Sequence, residues 1–106
     1  MSARIEFQRT ADPHIIADLQ MYETDAGGRK GPALPGWGCP IMISNDQPWQ
    51  GWDAILLLRD QPIAPGESRR IGIHFIFGED GASAVREAGK LYLWEGGIVG
   101  EGVVVA

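Results

Sequence analysis

From Ser68 to Phe77, apolar side chains recur at every second residue. Ile71, Ile73, Phe75 and Phe77 alternate with Arg70, Gly72 and His74. A period of two puts one set on each face of a β-strand, and a helix of 3.6 residues per turn cannot reproduce it. The segment is therefore expected to be a strand with one face turned into a core.

Shorter segments along the chain repeat this theme. In Ile15 to Tyr22, Ile15, Ala17, Leu19 and Met21 share one face, and Asp18 and Gln20 lie opposite with Ile16 and Tyr22. Ile41-Met42-Ile43 reads as the next strand, ended by Asn45-Asp46 and Pro48. The continuous apolar run within Trp52 to Arg59 suits a strand buried on both faces. Lys90 to Glu95 and Ile98 to Val105 form a last pair, joined by a tight turn at Gly96-Gly97. Between the third and fourth strands, Pro65-Gly66 suits a type II turn, because proline presets the first central φ and glycine accepts the positive one after it. Gly78 to Gly89 is the one segment with the makings of a short helical turn, through Ala82, Ala84, Val85 and Ala88. Short strands divided by Gly/Pro turns, with almost no helix, indicate an all-β barrel or sandwich of one domain. Residues 1–13, where Ile5 and Phe7 alternate weakly with charged neighbours, read as an N-terminal arm or edge strand ahead of a body at 14–106.

The connection from Asp25 to Pro40 is unusual. It carries Gly27, Gly28, Gly31, Gly36 and Gly38 with Pro32, Pro35 and Pro40, and among them stand Arg29, Lys30, Trp37 and the single cysteine, Cys39. Loops longer than about 12–15 residues are uncommon in compact domains unless functional or disordered. Two readings follow. It is a binding loop presenting Arg29, Lys30 and Trp37, or a covering loop whose Trp37 plugs one end of a barrel.

Composition narrows the function. A net charge of −5 disfavours broad attraction to nucleic acid or to an anionic membrane face. One cysteine forbids an internal disulfide, and the charged N-terminus lacks the apolar run of a signal peptide, so a cytoplasmic location is expected. His14, Cys39 and His74 lack zinc-type spacing, and the dispersed carboxylates do not pair for acid–base work. No enzymatic activity, metal or cofactor is expected. Trp49 and Trp52 flank Gly51 in a turn-like stretch and are expected to be partly exposed, where tryptophan serves interfaces as readily as structure.

Taken in order, the motifs resemble those of a known domain. They are an Asp-x-Gly-Gly-Arg segment ending at Arg29, Gly36-Trp37 ahead of Pro40, the Pro65-Gly66-Glu67 turn, and the ending Glu95-Gly96-Gly97-Ile98-Val99-Gly100-Glu101-Gly102-Val103-Val104. Together they resemble the C-terminal (third) domain of elongation factor Tu and its relatives, over roughly residues 14–106, nearly the whole chain, here as a freestanding domain. The resemblance implies a small antiparallel β-barrel of six strands. In that family the domain holds the acceptor and T-stem side of aminoacyl-tRNA, and the corresponding positions here are Arg29, Lys30, Glu95 and Gly96. Two family arginines are replaced, by Gly38-Cys39 and by Gly97 running into Ile98, and no phosphate-binding loop for GTP is present. The expected function is thus a non-enzymatic binding module, chiefly for a protein partner and in or near translation. The alternative is an RNA-binding module on the tRNA backbone. No membrane or DNA partner is expected.

Overall fold

A computed structural model describes residues 3–46 and 49–106. Six strands form a closed antiparallel barrel: β1 (Ile15–Met21), β2 (Gly38–Met42), β3 (Gly51–Leu57), β4 (Ser68–Phe75), β5 (Lys90–Trp94) and β6 (Ile98–Val104). Around the barrel the order is β1-β4-β3-β2-β5-β6, with β6 returning to β1. Closure gives every described strand a neighbour on both sides, although β2 and β5 are paired only at Ile41 with Leu93 and at Met42 with Tyr92. No whole strand edge among the described residues is therefore open to another chain.

The alternating segments behave as their period requires. Ile15, Ala17, Leu19 and Met21 of β1 are buried and meet Ile71, Ile73 and Phe75 of β4 inside the barrel. Each fully buried Leu or Ile side chain is worth about 1.5–3 kcal/mol relative to exposure. On β3, Ala54, Ile55, Leu56 and Leu57 are all buried. The outward position at Ile55 is covered by a helix, α1 (Ala3–Thr10), which packs on β3. The N-terminal segment is therefore not an edge strand. Ile5 lies against Gly36 on one side, and the Phe7 ring stands edge-on to His74, centroids 4.8 Å apart, on another. Apolar contacts on two sides of a short helix produced the alternation that mimics a strand.

The ends of the barrel are closed differently. At one end lies α2 (Glu79–Ala88), which turns Ala82 and Val85 into the core and stops at Gly89 in the left-handed conformation, its N–H bonded to the Val85 carbonyl. The segment expected to hold no more than a short helical turn is thus a ten-residue helix from its first acids onward, stabilised by the burial of one face. β4 stops at Phe75, and Gly78 takes a φ of 91°. Phe77 consequently leaves the inward row of Ile71, Ile73 and Phe75 and is 84% exposed. At the other end the long connection crosses the barrel mouth. Ala33 and Ile63 exchange backbone hydrogen bonds of 2.8 and 3.0 Å, and both are fully buried. The Glu67 N–H bonds to the Ala64 carbonyl across Pro65-Gly66, with Gly66 at φ 81°, as the turn chemistry required. Pro48, assigned a part in ending the second strand, lies outside the described residues.

Tyr22, at the end of β1, donates its phenol proton to Glu101 Oε1 at 2.7 Å. Burial, reinforced by this carboxylate, pushes the phenol from 10 up to about 12. A group whose folded value is raised contributes stability that is whole below its unfolded value and is lost as pH rises through the folded one. Stability should therefore fall between about pH 10 and about pH 12. Urea unfolding of Tyr22→Phe across that window should show a shallower fall than the parent. An identical slope in the two proteins would refute the assignment.

Candidate functional site

The residues singled out in the sequence fall into two clusters. The first bolts the long connection to the final hairpin. Arg29 donates from Nε to Glu95 Oε1 at 2.9 Å and from a terminal nitrogen to the Gly31 carbonyl at 2.9 Å. Its guanidinium carbon lies 5.1 Å from the centroid of the Trp37 ring. Trp37 in turn donates its indole N–H to Glu95 Oε2 at 2.9 Å. One carboxylate thus holds a cation and an indole, and the cation sits over the indole's π-face. Trp37 is half-buried against the core, as an end-covering residue would be. Gly96 supplies the positive φ, 70°, of the hairpin, and Lys30 beside the cluster is exposed.

Arg29 is therefore committed to internal bonds. The same holds for other arginines that a phosphate-binding face would need. Arg70 bonds to both carboxylate oxygens of Asp18, at 2.7 and 3.1 Å. Arg69 bonds to Glu67 and to the carbonyls of Gln61 and Pro62. These two, with Arg59, border a separate hollow that does not include Arg29 or Lys30.

The second cluster is a groove of about 450 Å³ that runs from the outside of β2 and β3 over the barrel end to the start of α2. Trp49 and Trp94 form its floor, with ring centroids 4.8 Å apart at 48°. Pro40, Met42, Trp52 and Phe77 extend the apolar lining. Trp49 is 42% exposed and Trp52 half-buried. Gly51 and Trp52 open β3 rather than forming a turn, because they pair with Met42 and Ile41 of β2. Asp53 and Asp80 are the charged groups of the lining, and both are exposed.

Trp94, Phe77, Asp53 and Asp80 were not among the candidate binding residues expected from the sequence, which were Arg29, Lys30, Trp37, Trp49, Trp52, Glu95 and Gly96. For Trp94 the signal was present: it lies opposite Leu91 and Leu93 in an alternating strand, hence outside the barrel. Phe77 carried the opposite signal, continuing the inward row of β4 on paper. Only the end of the strand at Phe75 turns it out.

The nucleophile and metal candidates are occupied or shielded. Cys39 is buried, and burial pushes its thiol up to about 12, so the thiolate needed for nucleophilic or ligand chemistry is disfavoured. The His14 and His74 rings stack with centroids 4.2 Å apart. His14 Nδ1 accepts the Phe75 N–H at 2.8 Å, and His74 Nδ1 donates to the Asp12 carbonyl at 3.0 Å. Those partners leave Nδ1 of His14 without a proton and place one on Nδ1 of His74, because an N–H only donates and a carbonyl only accepts. Among the described residues no group of three His, Cys, Asp or Glu side chains is placed to hold a metal ion, and no helix is long and apolar enough to cross a membrane. No protein-family model matches this chain, and no curated protein matches it in sequence.

Proposed function

We propose that this chain is a non-enzymatic binding module that docks a protein partner in the groove of Trp49, Trp52, Trp94 and Phe77. The carrying observation is the exposed aromatic surface itself, with Phe77 at 84% and Trp49 at 42% exposure on one continuous hollow. Contiguous apolar surface of this kind marks interaction sites, and tryptophan is enriched among the residues that dominate interface energetics.

The resemblance to the third domain of elongation factor Tu adds the reading that the partner acts in translation, in the cytoplasm. A closed antiparallel barrel of six strands is the architecture which that resemblance implied. The second reading, RNA binding through Arg29, Lys30, Glu95 and Gly96, draws on the same resemblance. It receives less support, because Arg29 already gives two of its N–H donors to Glu95 and Gly31 and its guanidinium lies over Trp37.

The test is affinity capture from a lysate of the source cells, with bound protein and RNA identified separately at about 50 and 200 mM salt, since phosphate-driven binding fades steeply over that range. The parent is compared with Trp49→Ala/Phe77→Ser and with Arg29→Ala/Lys30→Ala. A protein retained at the higher salt and lost only with the groove variant is the expected result. Captured tRNA lost only with the Arg29/Lys30 variant would replace this reading with the second.

A further inference from the structure

The groove joins two properties that rarely stay together in water without a purpose. Its lining includes the aromatic rings of Trp49, Trp52, Trp94 and Phe77, and its charged groups are carboxylates, Asp53 and Asp80. Among the described residues no lysine, arginine or histidine is part of the lining. Neither Asp53 nor Asp80 takes part in an ion pair among the described residues, whereas Asp18, Asp60, Glu6, Glu67, Glu79 and Glu95 all do.

We infer that the groove receives a lysine or arginine side chain from a peptide segment of the partner, its cation held over the tryptophan faces and between the Asp53 and Asp80 carboxylates. This rests on the docking reading above and specifies its chemistry.

Charge complementarity selects the cation. The negative face of an indole attracts an ammonium or guanidinium, and the attraction grows as water leaves. A neutral apolar ligand would cover the same aromatic area but would desolvate or crowd two carboxylates without compensation. An anionic ligand, a phosphate backbone included, would be repelled by both acids. The chain's net charge of −5 favours approach of a basic partner from a distance. Shape selects a peptide over a free small cation. The hollow opens along the barrel's outer surface and over its end, and Phe77 stands 84% exposed on one side. Pockets for small ligands bury most of their guest. An open groove instead suits a side chain delivered by a backbone that continues beyond it.

The test uses the full chain and immobilised mixtures of short random peptides whose central residue is fixed as arginine, lysine, citrulline, norleucine or glutamate. Citrulline keeps the shape of arginine without its charge, and norleucine keeps an aliphatic stem alone. Arginine- or lysine-centred mixtures should retain the protein about 5- to 30-fold better than citrulline- or norleucine-centred ones. In Asp53→Asn/Asp80→Asn that preference should shrink to about twofold or less. Both positions are exposed, so this variant is expected to fold. Phe77→Ser, also at an exposed position, should weaken retention of every mixture.

Equal retention of the norleucine mixture, lost in Phe77→Ser, would overturn the cationic claim while leaving a docking groove in place. A preference for arginine that survives loss of both carboxylates would overturn it as well. Retention of no mixture overturns the peptide claim. If tetramethylammonium chloride alone then perturbs tryptophan fluorescence, the groove takes a small cation instead. Failure here beside lysate capture that still depends on the groove would sink the cationic chemistry alone. Failure of both would sink the docking reading with it.

Discussion

Phe75→Ala is expected to lower the free energy of unfolding by about 3–5 kcal/mol, the range for deleting a buried aromatic ring. Phe75 is 1% exposed at the barrel end, where α2 lies on the sheet. A Cβ added at Gly81, in the first turn of α2, would come 2.6 Å from the Phe75 ring and 2.8 Å from Trp52. The helix has therefore been brought as close to that ring as a backbone without a side chain allows. Removing the ring leaves a cavity that a barrel closed on all sides cannot collapse to fill. Domains of this size have only about 5–15 kcal/mol of stability in total, so the loss is a large part of the whole. In urea the midpoint should fall with little change in slope. A loss below about 1 kcal/mol would show that Phe75 is not clamped between α2 and the barrel.

Gly28→Ala and Gly31→Ala should differ sharply although both sit in the same connection. A Cβ at Gly28 would lie well inside van der Waals contact of the Tyr22 carbonyl oxygen and 2.7 Å from that of Glu23. Both obstacles are backbone, held by the turn in which the Ala26 and Gly28 N–H groups bond to the Glu23 carbonyl. Nothing there can swing aside, so a destabilisation of about 1–3 kcal/mol is expected, at the upper end of that range. The displaced loop would also carry Arg29 away from Glu95. At Gly31 an added Cβ meets nothing within 4 Å. Alanine there should be neutral or stabilising by about 0.4–1 kcal/mol, because it restricts the unfolded chain. Matched denaturation curves decide the pair. Equal effects at the two positions would contradict the close approach at Gly28.

That contrast marks where the sequence is legible. Period-two alternation in β1, β4 and β5 reveals strands because burial on one face is itself periodic, whereas β6 is readable only as the strand that follows the Gly96-Gly97 turn. The Pro65-Gly66 turn is readable because its φ values are set by residue type. The separate duties of Gly28 and Gly31 are not readable, because a glycine records only that something stands close or that φ is positive, never which. Nor is α1: its contacts lie on two sides, so Ile5 and Phe7 copy a strand's spacing. The groove was half legible. Trp49 and Trp52 signalled an interface by composition. Trp94 joins them only because β5 lies next to β2 in the closed barrel, a neighbour relation across roughly half the chain. Arg29 and Glu95, linked in the sequence only by resemblance, do meet, yet they meet to tie a loop down.

The most direct measurement is nuclear magnetic resonance of the tryptophan indole N–H groups during titration with the captured partner or an arginine-centred peptide mixture. The four tryptophans divide between the two clusters, Trp49, Trp52 and Trp94 in the groove and Trp37 under Arg29. Shifts in the groove trio, with the Trp37 indole and the Arg29 Nε–H unmoved, are the expected result. Movement of Trp37 and Arg29 with the groove trio unchanged would contradict it, and would place the binding surface on the loop and hairpin instead.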